Sequence, residues 1–566
     1  MVASFGEAMG ARSTVLGRCL AALLVAACLG MPARAAEAPS LTIGITQYPS
    51  TFNPLIDVTS AKSFILNMAL RPITAYDAQW KLVCLLCAEL PTIENGLAAV
   101  ETLPDGRRGL AVTIRLKPDL FWGDGTPVTA RDVVFTWEVG RHAQTGAADI
   151  EIFRRIARVE VKDDHTVVLH QDRVTYNYND LGDFTVLPVA VEAKAFIDPA
   201  DYRKRTAYDT DTANPALYNG PYRIVRAVPG SHVELAPNPV WRGPAPGFGR
   251  IVVRIIENAS ALEVTLRSGG IDYIPGELGL TLDQGVALER RLPLGYEVVY
   301  KPGLNYEHVV LDLDNPILKD VRVRRALVLS IDRATLVKQL FAGRQPVADS
   351  FLPPIDPMAA TDLPSYRFDP AEAARLLDEA GWRKGADGLR RNTAGQMFSL
   401  SFVTTAGNRS RELVQQALQS QWRALGLDIR LRTEPARVLF GETLPQRKFG
   451  GMAMFAWVGA PEASPRSMLR SSEVPGPRNN LGGENYAGFR DAEVDRLIDA
   501  LEAELDPTKR RTLWHRLQAL DVAALPAIPW YFQTDPYILP RWLKGVEPTG
   551  TLYPSTLWVE RWRRAP

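Results

Sequence analysis

Leu120 to Glu138 reads LFWGDGTPVTARDVVFTWE, and local structure is specified more sharply here than elsewhere in the chain. Gly123-Asp124-Gly125 supplies turn residues that tolerate positive φ angles. Thr129 occupies the position of a helix N-cap, and Asp132 follows three residues later, which is a capping-box arrangement. Val133 to Trp137 then presents apolar side chains at helical spacing. The stretch therefore predicts a strand end, a tight turn and a helix start, and none of its side chains performs chemistry.

The first 35 residues have the pattern of a signal peptide. Basic residues precede an apolar core, Leu20 to Leu29, that is too short to span a bilayer. Pro32 and the small-x-small site Ala33-Arg34-Ala35 follow, so we expect cleavage after this site and a periplasmic protein. Val25-Ala26-Ala27-Cys28 also resembles a lipoprotein box, and anchoring through Cys28 stays open as the alternative.

About 530 residues remain after the leader, too many for one hydrophobic core and enough for two or three domains. The formal net charge of +1 becomes about −1, because the leader carries three arginines and one glutamate. This balance argues against nucleic acid and against an anionic membrane surface as partners. Hydrophobic residues make up 46% of the chain, as in ordinary globular proteins.

Two cysteines survive removal of the leader, Cys84 and Cys87 in the run VCLLCAEL. A C-x-x-C pair can be a redox site, half a zinc site or a short disulfide. Zinc requires two more soft ligands, and the six histidines are scattered along the sequence. We expect a structural disulfide or two buried thiols in an oxidising compartment.

Periodicity predicts alternating strands and helices over most of the mature chain. Strands are expected at 41–45, 112–116, 251–256, 427–432 and 528–532, and hairpins at 159–170 and 222–235. Helices are expected at 63–70, from 260, from 370 to 381, from 410, at 491–505 and at 506–520. His165 and His170 lie across the first hairpin, where solvent-exposed strand positions are expected and a metal pair is the alternative.

A series of short motifs runs along the chain. They are WGDGTPVTARDVVF (122–135), NGPY (219–222), NPVWRG (238–243), GGID (269–272), DVRVRRAL (320–327) and IDR (331–333). Asp320 suits a helix N-cap, and we expect the arginines after it on a solvated or ion-paired face, with carboxylate binding as the alternative. In this order the motifs resemble extracytoplasmic solute-binding protein family 5, the relatives of the oligopeptide-, dipeptide- and nickel-binding proteins of ABC transporters.

The resemblance implies an α/β (mixed α+β) bilobal fold of the periplasmic-binding-protein type II class, with an extra subdomain and a hinge between the lobes. The implied segments are a signal peptide 1–35, lobe I 36–78, an inserted subdomain 79–215, lobe I again 216–298, lobe II 299–526 and a return to lobe I 527–566. A monomer of this kind captures a peptide or peptide-like solute and delivers it to permease subunits. It needs no catalytic residue, cofactor or metal.

The same resemblance suggests ligand-binding residues. Thr59 and Ser60 follow the loop that borders the cleft in relatives, and the alternative is a solvated loop with a helix-capping hydroxyl. Trp457 matches a cleft-wall tryptophan, and the backbone around Gly459 is expected to bond an extended solute in the manner of an added strand.

The aspartate that holds a peptide's amino terminus in relatives is replaced by Ala460. A buried ammonium needs an anionic partner, and losing one costs several kcal/mol, on the order of 3–5. Either Glu462 supplies that charge, or the solute presents no free amino group there. The alternative for Glu462 is an exposed loop carboxylate.

Other functions remain open at this point. A non-peptide solute, such as a glycoside, an opine-like molecule or a modified amino compound, fits the loss of the aspartate at Ala460. A secreted hydrolase is disfavoured because the chain lacks G-x-S-x-G, H-E-x-x-H and a phosphate-loop Gly-Lys. Signalling to a sensor uses the same closing cleft as transport, so the sequence does not separate these two roles.

Overall fold

The computed structural model describes residues 39–148, 150–551 and 554–565. The predicted signal peptide, 1–35 with Cys28, lies outside the described residues. Within the part of the chain that is described, no helix combines the length and the apolar character needed to cross a membrane.

The first half of the described chain contains one lobe with its subdomain. Its strands are β1 Ser40–Ile45, β2 Thr74–Tyr76, β3 Leu82–Cys84, β4 Ala98–Thr102, β5 Arg108–Arg115, β6 Ile156–Asp163, β7 Thr166–Gln171, β8 Tyr222–Val228, β9 His232–Pro237 and β10 Arg250–Ile255. Its helices are α1 Ser60–Leu66, α2 Ala130–Arg141, α3 Ile150–Arg154, α4 Val189–Phe196, α5 Tyr202–Arg205, α6 Ala207–Thr210, α7 Ala259–Arg267 and α8 Leu282–Glu289, with a 3₁₀ turn at Pro215–Leu217.

Two four-stranded sheets organise this half. The first has the order β1-β10-β9-β8, with β1 parallel to β10 and the other neighbours antiparallel. The second has the order β4-β5-β7-β6 and is antiparallel throughout. Both hairpins expected from the alternating pattern, β6–β7 and β8–β9, are present. Lobe I therefore carries a subdomain with its own sheet.

The capping box expected in the signature stretch is present at the start of α2. The backbone N–H of Thr129 donates to the Asp132 carboxylate at 2.8 Å, and the Thr129 side chain accepts from the backbone three residues on. Gly125 has a φ of 91°, which the turn before the helix requires and which glycine adopts without strain. This motif specifies local structure rather than a site.

The second half builds the other lobe and returns. Its strands are β11 Tyr296–Leu311, β12 Arg383–Lys384, β13 Arg390–Arg391, β14 Ser399–Thr405, β15 Asp428–Glu434, β16 Gly451–Trp457, β17 Ala527–Pro540, β18 Leu543–Lys544 and β19 Arg563–Arg564. Its helices are α9 Val321–Leu329, α10 Arg333–Phe341, α11 Pro370–Glu379, α12 Arg409–Ala424, α13 Ala436–Val438, α14 Arg466–Leu469, α15 Ala492–Ala503 and α16 Pro507–Ala524. A π-helical turn at Leu439–Thr443 and 3₁₀ turns at Ser471–Glu473, Pro477–Asn479 and Ser555–Arg561 complete it.

Lobe II is a five-stranded mixed sheet in the order β15-β14-β16-β11-β17. Strand β14 is parallel to both β15 and β16, whereas β11 is antiparallel to β16 and β17. Helix α12 covers one face, where Val414, Leu418 and Trp422 are buried. Helix α16 packs on the opposite face through Trp514 and Leu517. The sheet thus has an apolar core on each side.

Strands β11 and β17 pair along most of their length and run through both lobes. Ile528 and Trp530 belong to the lobe II core, whereas Tyr537 and Leu539 belong to the lobe I core. Pairing is interrupted between Pro302 and Tyr306, where the register shifts. The two lobes are therefore joined by a strand pair whose ladder is broken at the crossing point, which is the geometry of a hinge.

Several sequence expectations require correction. The helix expected at 63–70 is α1 Ser60–Leu66, because the carbonyls of Met68 and Ala69 accept the backbone N–H groups of Tyr222 and Gly220 instead. His170 is not exposed; it is 8% accessible and its ring nitrogens contact the carboxylates of Glu101 and Glu160.

Arg324 is likewise not on a solvated face. It is buried and donates to the carbonyls of Leu318 and Ala524, so it joins α9 to the C-terminal end of α16. Asp320 caps α9 as expected by accepting the backbone N–H of Arg322 at 2.9 Å. The motif therefore builds lobe II.

A disulfide and a buried ion pair stabilise the first lobe. Cys84 and Cys87 form a disulfide, as one of the two expected arrangements requires. Arg71 and Glu560 form an ion pair at 2.6 Å, and their side chains are only 2% and 9% exposed. Arg71 also donates to the carbonyl of Leu70. This pair fastens the C-terminal 3₁₀ turn to the segment after α1.

Replacement of Glu560 by glutamine is expected to lower the free energy of unfolding by about 3 kcal/mol, because it leaves a buried guanidinium without its counter-charge. Urea denaturation monitored by tryptophan fluorescence measures the change. Asp105→Asn serves as the control, since its pair with Arg107 is 50% and 64% exposed and should contribute nothing measurable. Equal effects of the two substitutions would contradict this account of the C-terminal turn.

Candidate functional site

The carboxyl ends of strands from both lobes open onto the same space. β1 of lobe I ends at Ile45, and β14 and β16 of lobe II end at Thr405 and Trp457. The segments that follow these strands line cavities between the lobes. In open sheets, ligands bind outside the carboxyl ends of strands, so this interlobe cleft is the candidate site.

The first cavity, which we call the Thr59 cavity, has a volume of about 390 Å³. Thr59, Ser60 and residues of the subdomain line it from lobe I, and Ala460 lines it from lobe II. The hydroxyl oxygen of Thr59 is buried and has no hydrogen-bond partner among the described residues. It does not cap α1, so the helix-capping alternative for this residue is wrong.

The ionisable lining of the Thr59 cavity is predominantly acidic. Asp180 and Asp183 face it, and burial raises the pKa of Asp180 above its ordinary value. Lys62 also lines it, but its ammonium group donates to the carbonyls of Asn53 at 3.0 Å, Ile56 at 2.6 Å and two further residues of the loop. Burial lowers the pKa of Lys62 to about 8. The Lys62 ammonium group is therefore held by the loop carbonyls and also interacts with Asp183, so the cavity has two carboxyl groups against one cation.

An adjoining cavity of about 380 Å³, the Glu462 cavity, shares Tyr76 with the first. Glu462 has a φ of 53° and places its carboxylate 3.0 Å from Arg510. Its backbone carbonyl accepts the hydroxyl of Tyr176. The Glu462 carboxylate is therefore already paired with a cation at hydrogen-bond distance.

Tyr176 connects the subdomain to lobe II. Its backbone N–H donates to the Glu502 carbonyl at 3.0 Å, and the guanidinium of Arg510 lies 5.1 Å from its ring centre. The ring is packed into a core cluster of lobe II. Nearby Asp356 is buried, and burial raises its pKa to about 6. These contacts hold the lobes together on the side of the cleft formed by the subdomain.

Trp457 lies at the end of β16 in an aromatic cluster. Its ring is stacked with those of Tyr486 and His308, at centroid separations of 5.9 and 6.2 Å. Burial lowers the pKa of His308 to about 4, so this ring is neutral at physiological pH. These rings border a small cavity of about 40 Å³ on the lobe II side, separate from the Thr59 cavity.

Gly459 lies against the hinge. A Cβ atom at this position would come within 2.9 Å of the Leu304 carbonyl oxygen, which only glycine avoids without a shift of the backbone. Leu304 in turn donates its N–H to the Gly550 carbonyl. Position 459 is therefore fixed by close packing of the cleft floor against the crossing strands.

A third cavity of about 370 Å³, the hinge cavity, lies where β11 and β17 cross. Glu307 and Arg411 form a buried bidentate pair on its wall, and Gln533 donates to the same carboxylate at 2.7 Å. Gln345 and Asp535 also line it. Burial raises the pKa of Asp535 to about 7.

The structure brings Thr59, Ser60 and Ala460 to one cavity and Glu462 to the next, whereas Trp457 and Gly459 lie at the cleft floor. Sequence reasoning missed Asp180, Asp183 and Tyr176, which come from irregular segments of the subdomain without a recognisable motif. Among the residues that the structure describes, no group of three or more histidine, cysteine, aspartate or glutamate side chains could hold a metal ion.

Comparison with known proteins agrees with this geometry. Residues 93–476 match the model described as bacterial extracellular solute-binding proteins, family 5 middle. The oligopeptide-binding protein AppA of Bacillus subtilis is 23% identical over 536 residues, covering 92% of this chain and 91% of AppA.

Two solved structures share the fold. The oligopeptide-binding protein of Thermus thermophilus, complexed with a pentapeptide, has a TM-score of 0.67 at 29% identity, covering 92% of this chain and 95% of that one. NikA of Brucella suis, complexed with Fe(III)-EDTA, has a TM-score of 0.74 at 21% identity, covering 93% and 100% respectively. These neighbours confirm the bilobal α/β fold expected from the motifs. Because the family model matches more than half of the sequence, the chain belongs to the bacterial extracellular solute-binding proteins of family 5.

Proposed function

We propose that this protein is the periplasmic substrate-binding component of an ABC importer. It captures a peptide or peptide-like solute with a free amino group between its lobes and delivers it, unaltered, to permease subunits. The observation that carries this proposal is the Thr59 cavity, which residues of both lobes line and whose ionisable lining has two carboxyl groups, Asp180 and Asp183, against one cation, Lys62.

An ammonium group suits this cavity for an electrostatic reason. Asp180 and Asp183 supply negative charge from lobe I, across from Ala460 where relatives carry an aspartate. A charge buried without a partner is strongly disfavoured, so a cationic ligand and these carboxylates stabilise each other. The amino group of the solute thus binds in the same part of the cleft as in relatives, but its counter-charge comes from lobe I instead of lobe II.

Polar groups around the carboxylates complete the site. The buried hydroxyl of Thr59 has no partner among the described residues and accepts a hydrogen bond from the ammonium group, and Ser60 contacts the solute at the cavity mouth. The backbone near Gly459 bonds an extended solute as an added strand would, beside Trp457. Glu462 acts through Arg510 and Tyr176, as part of the clasp between the lobes.

The relatives support a peptide-like solute. AppA is named as an oligopeptide-binding protein, and the Thermus thermophilus structure holds a pentapeptide. Both likenesses extend over more than nine-tenths of this chain.

Calorimetric titration with tetra-alanine and its N-acetyl form tests the role of the amino group. The free peptide should bind at least tenfold more tightly, about 1.4 kcal/mol, because acetylation removes the positive charge. Asp180→Asn should abolish that preference, since it keeps the side-chain shape and removes the charge. Equal binding of the two peptides by the native protein would exclude an ammonium site in the Thr59 cavity.

Glu462→Gln is the matched substitution in the neighbouring cavity. Because Arg510 already pairs with this carboxylate, the change should lower the affinity for tetra-alanine less than Asp180→Asn does and should leave the preference for the free peptide intact. Loss of that preference in Glu462→Gln, with Asp180→Asn unaffected, would identify Glu462 as the ammonium partner instead.

The affinity for tetra-alanine should decrease as the pH falls from 7 to 5. Burial raises the pKa of Asp180, so this carboxyl takes up a proton at a higher pH than an ordinary aspartate and then no longer attracts an ammonium group. Titrations in buffers of different ionisation enthalpy measure the proton released on binding. The N-acetyl peptide should show no such release, and proton uptake by the free peptide's complex would contradict the assignment.

A further inference from the structure

We propose that the hinge cavity is a second cationic subsite, which takes the guanidinium or ammonium group of a basic side chain on the same solute. The inference rests on the proposed function, and it narrows the solute class to peptides or peptide-like molecules that carry a basic side chain in addition to a free amino group.

The position of the hinge cavity connects it to the cleft. Thr46 and Gln47, which follow β1, line it from lobe I. Asn408, Ser410 and Arg411, which follow β14, line it from lobe II. The Thr59 cavity is likewise lined by the segment after β1 and by the segment after β16. Both cavities therefore open at the facing carboxyl edges of the two sheets, so one extended solute has access to both.

One buried side chain of the hinge cavity has an unsatisfied hydrogen-bond acceptor. Gln345 is only 7% exposed, and its side-chain oxygen is buried without a hydrogen-bond partner among the described residues. Gln518, another buried glutamine, donates to the Met358 carbonyl and accepts from the hydroxyl of Ser350. Buried amides are normally satisfied in this way. The Gln345 side-chain oxygen is therefore available to accept a hydrogen bond from a bound ligand.

The charges on the cavity wall are also unbalanced. The charge of Arg411 is already paired, because the guanidinium donates to the Glu307 carboxylate at 2.7 and 2.9 Å and also to the Thr405 hydroxyl at 3.0 Å. Glu277 and Asp535 line the same cavity and form no ion pair with a described residue. The Glu277 carboxyl accepts the Ser555 backbone N–H at 3.0 Å and interacts with the Tyr537 hydroxyl, and both of these partners are neutral. Two carboxyl groups thus lack a counter-charge.

An anion is the wrong occupant for this cavity. The N-terminus of α12 reaches it, but the side chain of Asn408 already caps that helix by accepting the Arg411 backbone N–H at 3.1 Å. The Arg411 side chain is committed to Glu307. The Glu277 and Asp535 carboxyl groups and the Gln345 oxygen are acceptors, and a guanidinium group carries five N–H donors in a planar fork that can serve several of them together. Elevation of the Asp535 pKa by burial agrees with a carboxyl that ionises when a cation arrives.

Calorimetric titration with paired tetrapeptides tests this subsite. The probes are tetra-alanine peptides with one arginine at position two, three or four, and the same peptides with citrulline, which has nearly the shape of arginine without its charge. At one position or more, the arginine peptide should bind at least tenfold more tightly than its citrulline partner. Asp535→Asn should reduce that ratio below threefold and leave the affinity for tetra-alanine unchanged.

Asp180→Asn is the matched control in the Thr59 cavity, where it should weaken all free peptides and preserve the ratio of arginine to citrulline. Gln345→Met should also lower the ratio, without loss of thermal stability, because an unsatisfied buried amide is replaced by an apolar side chain of similar size. Equal binding of arginine and citrulline peptides at every position, or an undiminished ratio in Asp535→Asn, would overturn the subsite while leaving the proposed function intact.

If none of these peptides binds, the proposed function fails as well. Thermal shift with agmatine then tests the hinge cavity separately from peptide binding. A thermal shift with agmatine that disappears in Asp535→Asn would support a cationic subsite for some other solute. No shift with agmatine would remove the subsite altogether.

Discussion

The strand pair β11–β17 is the constraint on which the remaining structure depends. It carries hydrogen bonding through both lobes, and its register breaks between Pro302 and Tyr306 at the point of crossing. Because the same two strands complete the lobe II sheet and reach the lobe I core, they hold the facing edges of the two lobes side by side. The cleft and its cavities follow from that arrangement. Gly459 shows how tight it is, since even a methyl group would meet the Leu304 carbonyl.

Charge within the cleft is arranged by lobe. The carboxylates of Asp180 and Asp183 lie on lobe I, and the Glu462–Arg510 pair lies on lobe II, where Tyr176 of the subdomain reaches it. The Thr59 cavity thus has an excess of carboxyl groups on lobe I, and the neighbouring cavity has an ion pair on lobe II. The Tyr176 contacts join the subdomain to lobe II in this conformation.

Much of the fold was predictable because local chemistry and fold agree. The Thr129–Asp132 capping box, the Asp320 cap and the two hairpins are short-range features that tertiary structure did not override. The errors arose where distant segments meet. Helix α1 ends early because Gly220 and Tyr222 bond to the carbonyls that follow it, and Arg324 is buried where it donates to the Ala524 carbonyl. These partners are distant in sequence, so local periodicity does not reveal them. The site residues Asp180 and Asp183 were not predicted for the same reason. They belong to a loop that lies beside Thr59 only in the folded chain, so local sequence does not reveal their proximity.

Native mass spectrometry of the protein isolated from cells, followed by identification of the released solute, tests the central claim most directly. The account predicts a complex with a single short peptide or peptide-like molecule that has a free amino group and leaves chemically intact. An anionic or neutral solute without an amine, or the recovery of cleaved products after incubation with the protein, would contradict it.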